Sequence, residues 1–496
     1  LQVANGLVNS GTLHAYSGDF TTSVVTNYGT LNLPTNVFAY GQFVNHGTLN
    51  FQRAMTVATP LTFNGGTVHL AEGSNTLYLT GPITVNTNFN LSSVSTSTIE
   101  VSNVVSGPGG ITRSGDGWCF VTGDANTYTG PTIVNGGKTL WVGKPGGLVS
   151  ARLGPGAITN NGTLYFASPL AYTTLGGISG TGTTDIRYGG AITVNGGVSS
   201  NGTFHVADGT LTLTNGALFR VNAAMTIANR DDVGYSPKPT VVVAVVNVTD
   251  GALLDVANVT FGNGGDLSGG VMTGIVNQAG GGVRTTGAAA EGNGIRLGHY
   301  PQTRSFYNLT GGSLTVEGNW DLCCATDGQG WFNMTGGEVF ATRVMLNERD
   351  GTGGYGRLTV AGGVLNLGTT NPAIGAVTNA ITADLSAPYL VEYGGSGGTI
   401  RAVTNIFLPL NATVSGSGAA AITFDSQAHA ISLSGRLSGA GGFNKAGVGT
   451  LTVSATNTCS GSVGVQAGTL ALAVPDALTN ATLTVGAGAL ADLGGT

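Results

Sequence analysis

The sequence predicts an all-β protein whose fold is a parallel β-helix, or β-solenoid, wound as one continuous elongated body over residues 1–496. Two observations support this prediction. A short phrase recurs at a nearly constant interval near the N-terminus, and the composition is unusual. Glycine accounts for 85 of the 496 residues, against an average share of about 7%. Charged residues make up only 8% of the chain, where about 25% is ordinary.

The recurring phrase is Asn-x-Gly-Thr followed by Leu or Val, and its glycines are Gly11, Gly29, Gly47 and Gly66. A turn of this type followed by alternating apolar residues predicts a short strand. The spacing is too short for a βαβ unit, which needs about 30 residues, but it suits one three-sided turn of a β-helix. Handedness rules favour a right-handed winding. At equal register the asparagines of the phrase are expected to stack as a structural ladder: Asn9, Asn27, Asn45 and Asn64.

A second repeat occupies residues 276–370. Its glycine pairs begin at Gly311, Gly336 and Gly362, so that they are further apart than the glycines of the first phrase. Longer turns need extra loops, so residues 299–305, 325–331 and 347–356 are expected to protrude. Surface chemistry is most often found on such loops.

A third repeat occurs twice. Residues 107–142 read GPGGITRSGDGWCFVTGDANTYTGPTIVNGGKTLWV, and residues 439–473 read GAGGFNKAGVGTLTVSATNTCSGSVGVQAGTLALA. Both copies resemble the autotransporter-associated β-strand repeat. The second copy has Cys459 where that family usually has tyrosine, and the first has Trp118 and Cys119 where it has Thr-Leu. The resemblance implies export, a β-helical stalk or passenger, and a location outside the cell or on a bacterial surface. It brings no catalytic residues.

The repeats predict one solenoid with several sub-regions. The first phrase predicts short turns, of about 18 or 19 residues each, over residues 1–106, and the two autotransporter-type copies follow the boundaries above. Further turns are expected over 143–275 and 371–438, with longer turns over 276–370 and an incomplete turn over 474–496. The chain starts at Leu1 without methionine, which indicates a processed product or a fragment.

Composition and charge exclude several classes of protein. Disordered chains combine low hydrophobicity with high net charge, whereas 41% of this chain is hydrophobic. The formal net charge is −6 and lysines and arginines do not cluster, which argues against a nucleic-acid partner. No apolar stretch reaches the roughly 18 residues of a transmembrane segment. Unpaired strand edges at solenoid ends favour self-association, end to end or laterally.

The candidate chemistry is sparse. Asp231 and Asp232 are weak candidates for a metal site, and a solvated loop is the alternative. No catalytic or cofactor-binding residues and no cofactor are predicted. The adjacent Cys323 and Cys324 point to opposite faces of a strand, so buried thiols are expected. A strained vicinal disulfide and a disulfide between subunits are the alternatives.

Together these features predict a structural protein of a bacterial surface, acting as a rigid stalk, coat or self-assembling fibre, and not an enzyme. One alternative is an adhesin that binds glycans or cells through residues 297–356. A less favoured alternative is a polysaccharide lyase or hydrolase, since such enzymes need clustered carboxylates and the 24 acidic residues are scattered.

Overall fold

The fold is a parallel β-solenoid of about 19 turns, as predicted. It is seen in a computed structural model in which the chain forms two compact units. The first comprises Leu1–Thr212, Ala217–Asn222 and Gly234–Ser236, and the second Leu213–Gly216, Ala223–Val233 and Pro237–Thr496. The structure describes residues 6–15, 24–33, 41–174, 176–229, 241–263, 271–287, 293–317, 321–347, 354–368, 379–383 and 388–494.

Within these ranges the chain contains strands, turns and a single 3-10 turn at Gly418–Ala420. No helix in the described part is long and apolar enough to cross a membrane. The strands before residue 230, numbered in chain order, are β1 Leu7–Asn9, β2 Thr12–His14, β3 Val24–Asn27, β4 Thr30–Leu33, β5 Gln42–Asn45, β6 Thr48–Phe51, β7 Met55–Val57, β8 Leu61–Asn64, β9 Thr67–Leu70, β10 Thr76–Leu79, β11 Ile83–Thr87, β12 Phe89–Ser93, β13 Thr98–Val101, β14 Val105–Ser106, β15 Ile111–Arg113, β16 Trp118–Val121, β17 Thr132–Val134, β18 Thr139–Gly143, β19 Ile158–Asn160, β20 Thr163–Ala167, β21 Ala171–Thr174, β22 Ile178–Ser179, β23 Thr183–Ile186, β24 Ala191–Asn195, β25 Val198–Asn201, β26 Thr203–Val206, β27 Thr210–Thr214 and β28 Leu218–Asn229.

Several of the later strands are longer than those of the first unit. The later strands are β29 Val241–Val248, β30 Leu253–Asn263, β31 Val271–Gln278, β32 Gly282–Thr285, β33 Asn293–Arg296, β34 Thr303–Leu309, β35 Ser313–Val316, β36 Asp321–Cys323, β37 Gln329–Ala341, β38 Arg343–Met345, β39 Tyr355–Leu367, β40 Ile381–Thr382, β41 Tyr389–Tyr393, β42 Thr399–Ala402, β43 Ile406–Leu408, β44 Ala412–Val414, β45 Ile422–Asp425, β46 Ala430–Leu433, β47 Leu437–Ser438, β48 Phe443–Ala446, β49 Thr450–Val453, β50 Val463–Val465, β51 Thr469–Leu472, β52 Leu483–Val485 and β53 Leu490–Asp492.

In the first unit, equivalent strands of successive turns pair in parallel. One stack runs β1-β3-β5-β8-β11-β14, a second runs from β2 through β4, β6, β9 and β12 to β25, and a third runs from β7 through β10, β13 and β16 to β26. Leu7 pairs with Val25, whereas Leu61 pairs with Ile83, which is further along the chain. The turns that carry a strand of the third stack are therefore longer than the spacing of the first phrase predicts for residues 1–106.

The core of the first unit consists of inward-facing side chains stacked one above another. Leu31, Leu49, Val68 and Leu91 occupy one such column, since each pairs in register with the next, and all four are fully buried. Burial of each such side chain stabilises the fold by about 1.5–3 kcal/mol.

The second unit keeps register although its turns differ in length. One inward column pairs in register from turn to turn, and the positions of its members in the chain are unevenly spaced. Every member of this column is buried. The extra residues of the longer turns are therefore accommodated outside the paired strands. The column consists of Val246, Val276, Tyr307, Phe332, Leu358 and Val391.

The recurrent glycines have two physical causes. A Cβ on Gly29 would lie 1.9 Å from the carbonyl oxygen of Gly11, and one on Gly47 would lie 2.1 Å from that of Gly29. These glycines are required by the close stacking of turns. Gly312 and Gly337, the second glycines of two pairs in the second repeat, instead have φ values of 80° and 74°, which disfavour any other residue.

The alkaline stability of the protein should depend on its buried tyrosines. Burial raises the pKa of Tyr128 to about 12 and raises the pKa of Tyr172, Tyr307 and Tyr393 above its ordinary value. The unfolded chain then loses these protons first, so stability should fall as pH rises above about 10, by about 1 kcal/mol per tyrosine at pH 11. Lys445, whose pKa burial lowers, acts in the opposite sense.

Urea unfolding at about pH 8 and about pH 11 measures this effect. Replacement of Tyr128 by Phe should reduce the loss of stability between the two pH values by about 1 kcal/mol. Identical urea midpoints at the two pH values would contradict the prediction.

Candidate functional site

Each autotransporter-type copy buries one cation inside its own turn. In the first copy, Arg113 on β15 has no exposed surface. Its guanidinium donates to the carbonyl oxygens of Thr139 and Leu91, both at 3.1 Å, to that of Gly117, and to the Ser93 hydroxyl at 3.4 Å. One side chain thus binds acceptors from three successive turns.

Lys445 on β48 does the same in the second copy. It is fully buried, and its Nζ donates to the Ser426 hydroxyl at 3.0 Å and to the carbonyl oxygens of Ala446, Gly447 and Ala467 at 2.7, 2.8 and 3.1 Å. Both cations are therefore surrounded by neutral oxygens of turns, which replace the water lost on burial.

The electrostatics of the two cations are alike. Burial lowers the pKa of Arg113, and the charge of the nearby Asp116 carboxylate opposes this shift. Burial likewise lowers the pKa of Lys445, and the charge of Asp425 opposes it. Asp116 itself forms an ion pair at the surface with Lys138.

An asparagine has the same role in both copies. Asn126 Oδ1 accepts the backbone N–H of Val105 at 2.7 Å, and its Nδ2 donates to the carbonyls of Gly123 and Arg152. Asn457 Oδ1 accepts the N–H of Leu437 at 2.6 Å, and its Nδ2 donates to the carbonyls of Ala455 and Ala477. The asparagine of the NTYT and NTCS segments thus joins three neighbouring turns, and its amide oxygen and nitrogen both form hydrogen bonds within the fold.

A group of aromatic side chains lies on the outer side of the first unit, which we call the outer aromatic cluster: Trp118, Phe120, Trp141 and Tyr165. Phe120, Trp141 and Tyr165 come from three successive turns in register, with ring centroids 6.2 and 4.1 Å apart. Trp118 is 46% exposed, whereas Trp141 is buried. The cluster thus presents mainly one indole ring to solvent.

A buried ion pair borders this cluster. Arg187 and Asp185 are both fully buried and are joined through Nη2 and Oδ2. The Arg187 guanidinium also lies 4.2 Å from the centroid of the Tyr165 ring and 5.5 Å from that of Trp141. Such cation–π contacts are strongest when water is excluded, so this pair holds the aromatic rings against the sheet.

Three of the four asparagines assigned to the ladder contact one another. Asn9 Nδ2 donates to Asn27 Oδ1, and Asn27 Nδ2 donates to Asn45 Oδ1, both at 2.8 Å. Asn64 does not continue this row, because Phe63 is the residue that pairs with Asn45. The Asn64 amide instead lies 3.2 Å from the His46 ring and accepts from Asn86 at 2.6 Å.

A second asparagine ladder lies in the second unit, where none was predicted. Asn277 donates to Asn247 at 3.1 Å, Asn308 to Asn277 at 3.0 Å, and Asn333 to Asn308 at 3.0 Å. The phrases YNLTGG and FNMTGG contained a signal for its last two members, which stand at the same place in each phrase.

The remaining predicted sites are the adjacent cysteines and the adjacent aspartates. Cys323 and Cys324 are buried thiols, so the structure does not contain the vicinal disulfide considered as an alternative. Burial raises the pKa of Cys324 well above its ordinary value. Asp231 and Asp232 lie outside the described residues. Among the residues that are described, no three His, Cys, Asp or Glu side chains meet as a metal site would require.

The central loops differ from one another. Pro301 and Gln302 are exposed. The segment 325–331 does not protrude, because the N–H groups of Thr326 and Gly328 donate to the carbonyl oxygen of Gly298 at 3.1 and 2.8 Å. The loop at 348–353 lies outside the described residues.

Two segments, residues 112–142 and 443–472, match the passenger-associated-transport-repeat family. Both matches fall inside the two copies that contain Arg113 and Lys445. The resemblance of these two segments to the autotransporter repeat is therefore confirmed, and the chain is a β-solenoid that contains two passenger-associated transport repeats. No curated protein and no solved structure matches the chain.

Loss of a buried cation should destabilise its unit more than loss of a surface cation. Arg113→Met leaves several buried carbonyl groups without donors, so we expect a loss of about 3–5 kcal/mol. Lys138→Met removes only the surface pair with Asp116, and should change stability by about 1 kcal/mol or less. Hydrogen exchange at β15–β18 measures both variants, and equal losses of protection would contradict the prediction.

The buried asparagine ladder provides a second comparison. Asn27 is fully buried, and Asn27→Ala leaves the amides of Asn9 and Asn45 without their partner, at a loss of about 2–4 kcal/mol. Asn64→Ala alters a partly exposed side chain outside the row and should lose about 1 kcal/mol or less. Hydrogen exchange at β3–β6 distinguishes the two, and similar effects would show that the ladder adds no stability.

Proposed function

We propose that the chain is a load-bearing part of an exported passenger, a rigid stalk whose turns resist separation under force. The passenger-repeat family implies secretion or surface exposure. The observation that carries the proposal is the shared role of Arg113 and Lys445. The residues that identify the repeat bind neighbouring turns together and present no chemistry to solvent.

Two further features support a mechanical role. Backbone pairing runs parallel and in register from turn to turn, so separation of one turn must break several hydrogen bonds at once. Because each turn contacts only its neighbours, stability is close to a sum over turns. A buried cation that binds acceptors in three turns adds to the stability of the turns in which the repeat occurs.

Force spectroscopy on the chain tethered at its two ends tests the proposal. We expect unfolding in steps, with each turn of about 26 residues on average adding about 80 Å to the tether. Arg113→Met should lower the rupture force of one set of steps, and Lys138→Met should not. A chain that extends smoothly at low force, or an Arg113→Met variant as strong as the wild type, would contradict a load-bearing role.

Electron microscopy over a range of concentrations separates two forms of this function. Filaments that lengthen with concentration would favour a self-assembling fibre. Single particles at every concentration would favour a stalk.

A further inference from the structure

We propose that a pocket beside the first autotransporter-type copy binds a carboxylate-bearing saccharide through Arg152. The pocket has a volume of about 370 Å³ and lies wholly within the first unit. This is at the lower end of the range for small-molecule sites, about 300–1,000 Å³. The lining residues are Asn126, Thr127, Arg152, Leu153, Pro155, Ala171, Tyr172 and Thr173.

Arg152 is the charged group of the pocket. Its backbone is fixed, since its N–H donates to Gly123 at 3.1 Å and its carbonyl accepts from Asn126 at 2.7 Å. Its guanidinium forms no hydrogen bond or ion pair with any residue that the structure describes, and its Nε is buried without a partner. A buried donor without an acceptor is costly, by about 1–3 kcal/mol, and no contact with the described residues offsets this cost.

The contrast with Arg113 and Lys445 strengthens the inference. Those two cations are fully surrounded by oxygens of the fold. Arg152 lies in the next turn after Arg113, yet its guanidinium has none within the described part of the chain. In a chain with a net charge of −6, an arginine at a pocket wall that forms no ion pair with a described residue is suited to bind a carboxylate, which it can hold through two parallel hydrogen bonds.

The remaining walls determine the class of ligand. Thr127 and Thr173 are exposed, and their hydroxyls bind no described residue. Leu153, Pro155 and Ala171 supply an apolar surface. One guanidinium, two hydroxyls and an apolar wall match a compact molecule that carries one carboxylate and several hydroxyl groups, which is the chemistry of an acidic sugar. Asn126 lines the pocket, but its amide already forms hydrogen bonds within the fold.

Calorimetric titration of the full chain with D-glucuronic acid, D-glucose and acetate at constant ionic strength tests the proposal. We expect saturable binding of glucuronic acid, at least about tenfold weaker binding of glucose and of acetate, and a loss of affinity as salt is raised. Acetate binding as tight as that of glucuronic acid would reduce the site to a carboxylate site and overturn the saccharide assignment. No binding of any of the three would overturn the proposal.

Three variants locate the site. Arg152→Gln should weaken glucuronic acid binding about tenfold or more, and since the guanidinium binds no described residue, the fold should be retained. Thr173→Glu at an exposed position places a competing carboxylate in the pocket and should have the same effect. Arg53→Gln removes an exposed cation elsewhere in the same unit and should leave binding unchanged. Unaltered binding by Arg152→Gln, or equal losses in all three variants, would overturn the assignment. The force measurements above are independent of this outcome.

Discussion

Backbone hydrogen bonding between successive turns is the interaction on which the rest of this structure depends. Parallel strands of adjacent turns lie about 4.8 Å apart, so every paired residue has a fixed neighbour one turn above and one turn below. Inward columns such as that of Leu31 and Leu49 are therefore mainly apolar. Arg113, which follows Leu91 in this column, is held there by carbonyl oxygens of neighbouring turns. Where the turn itself comes closest, only glycine fits, as at Gly29 above Gly11. The low charge of the sequence agrees with the same constraint, because a charged residue in an inward column loses its water and needs polar partners from the neighbouring turns.

Two recurring arrangements place polar groups between successive turns, the asparagine ladders and the buried cations of the passenger repeats. In the first ladder, Asn27 donates to the amide of Asn45 in the next turn and to a nearby carbonyl. In the second ladder, Asn277 donates to the amide of Asn247 in the preceding turn. In the two passenger repeats, a single cation donates to several carbonyls at once. The ladder distributes small contributions over many turns, whereas the cation concentrates a larger one at a single turn. Neither arrangement needs a buried carboxylate, whose desolvation would oppose folding.

The regular parts of the fold could be predicted from the sequence, because a column repeats its residue type at a fixed interval. Where one residue is added, the prediction fails in a definite way. Gly66 lies one position further from Gly47 than Gly47 lies from Gly29. The added residue lies between Phe63 and Thr67, so Gly66 stays over Gly47 while Phe63 takes the place opposite Asn45. A slip of one residue moves a side chain to the other face of a strand.

The pocket at Arg152 and the pair of Asp185 and Arg187 could not be predicted from the sequence. Segments of different turns form the pocket, and the ion pair occurs in one turn without a counterpart in the repeated phrases. The residues that form these contacts do not recur at a fixed interval. The repeats that predict the columns therefore do not predict these contacts.

The columns also determine how a protein of this kind can change over generations. A deletion of a few residues within a strand would displace every column that the strand contributes to, and the following turns would lose their partners. Gain or loss of one whole turn leaves each remaining residue above a suitable neighbour. Residues added between strands are tolerated too, as the unequal turns around Tyr307 and Phe332 demonstrate. Duplication in units of one whole turn, with changes confined to the loops, is therefore the kind of growth that leaves the columns intact.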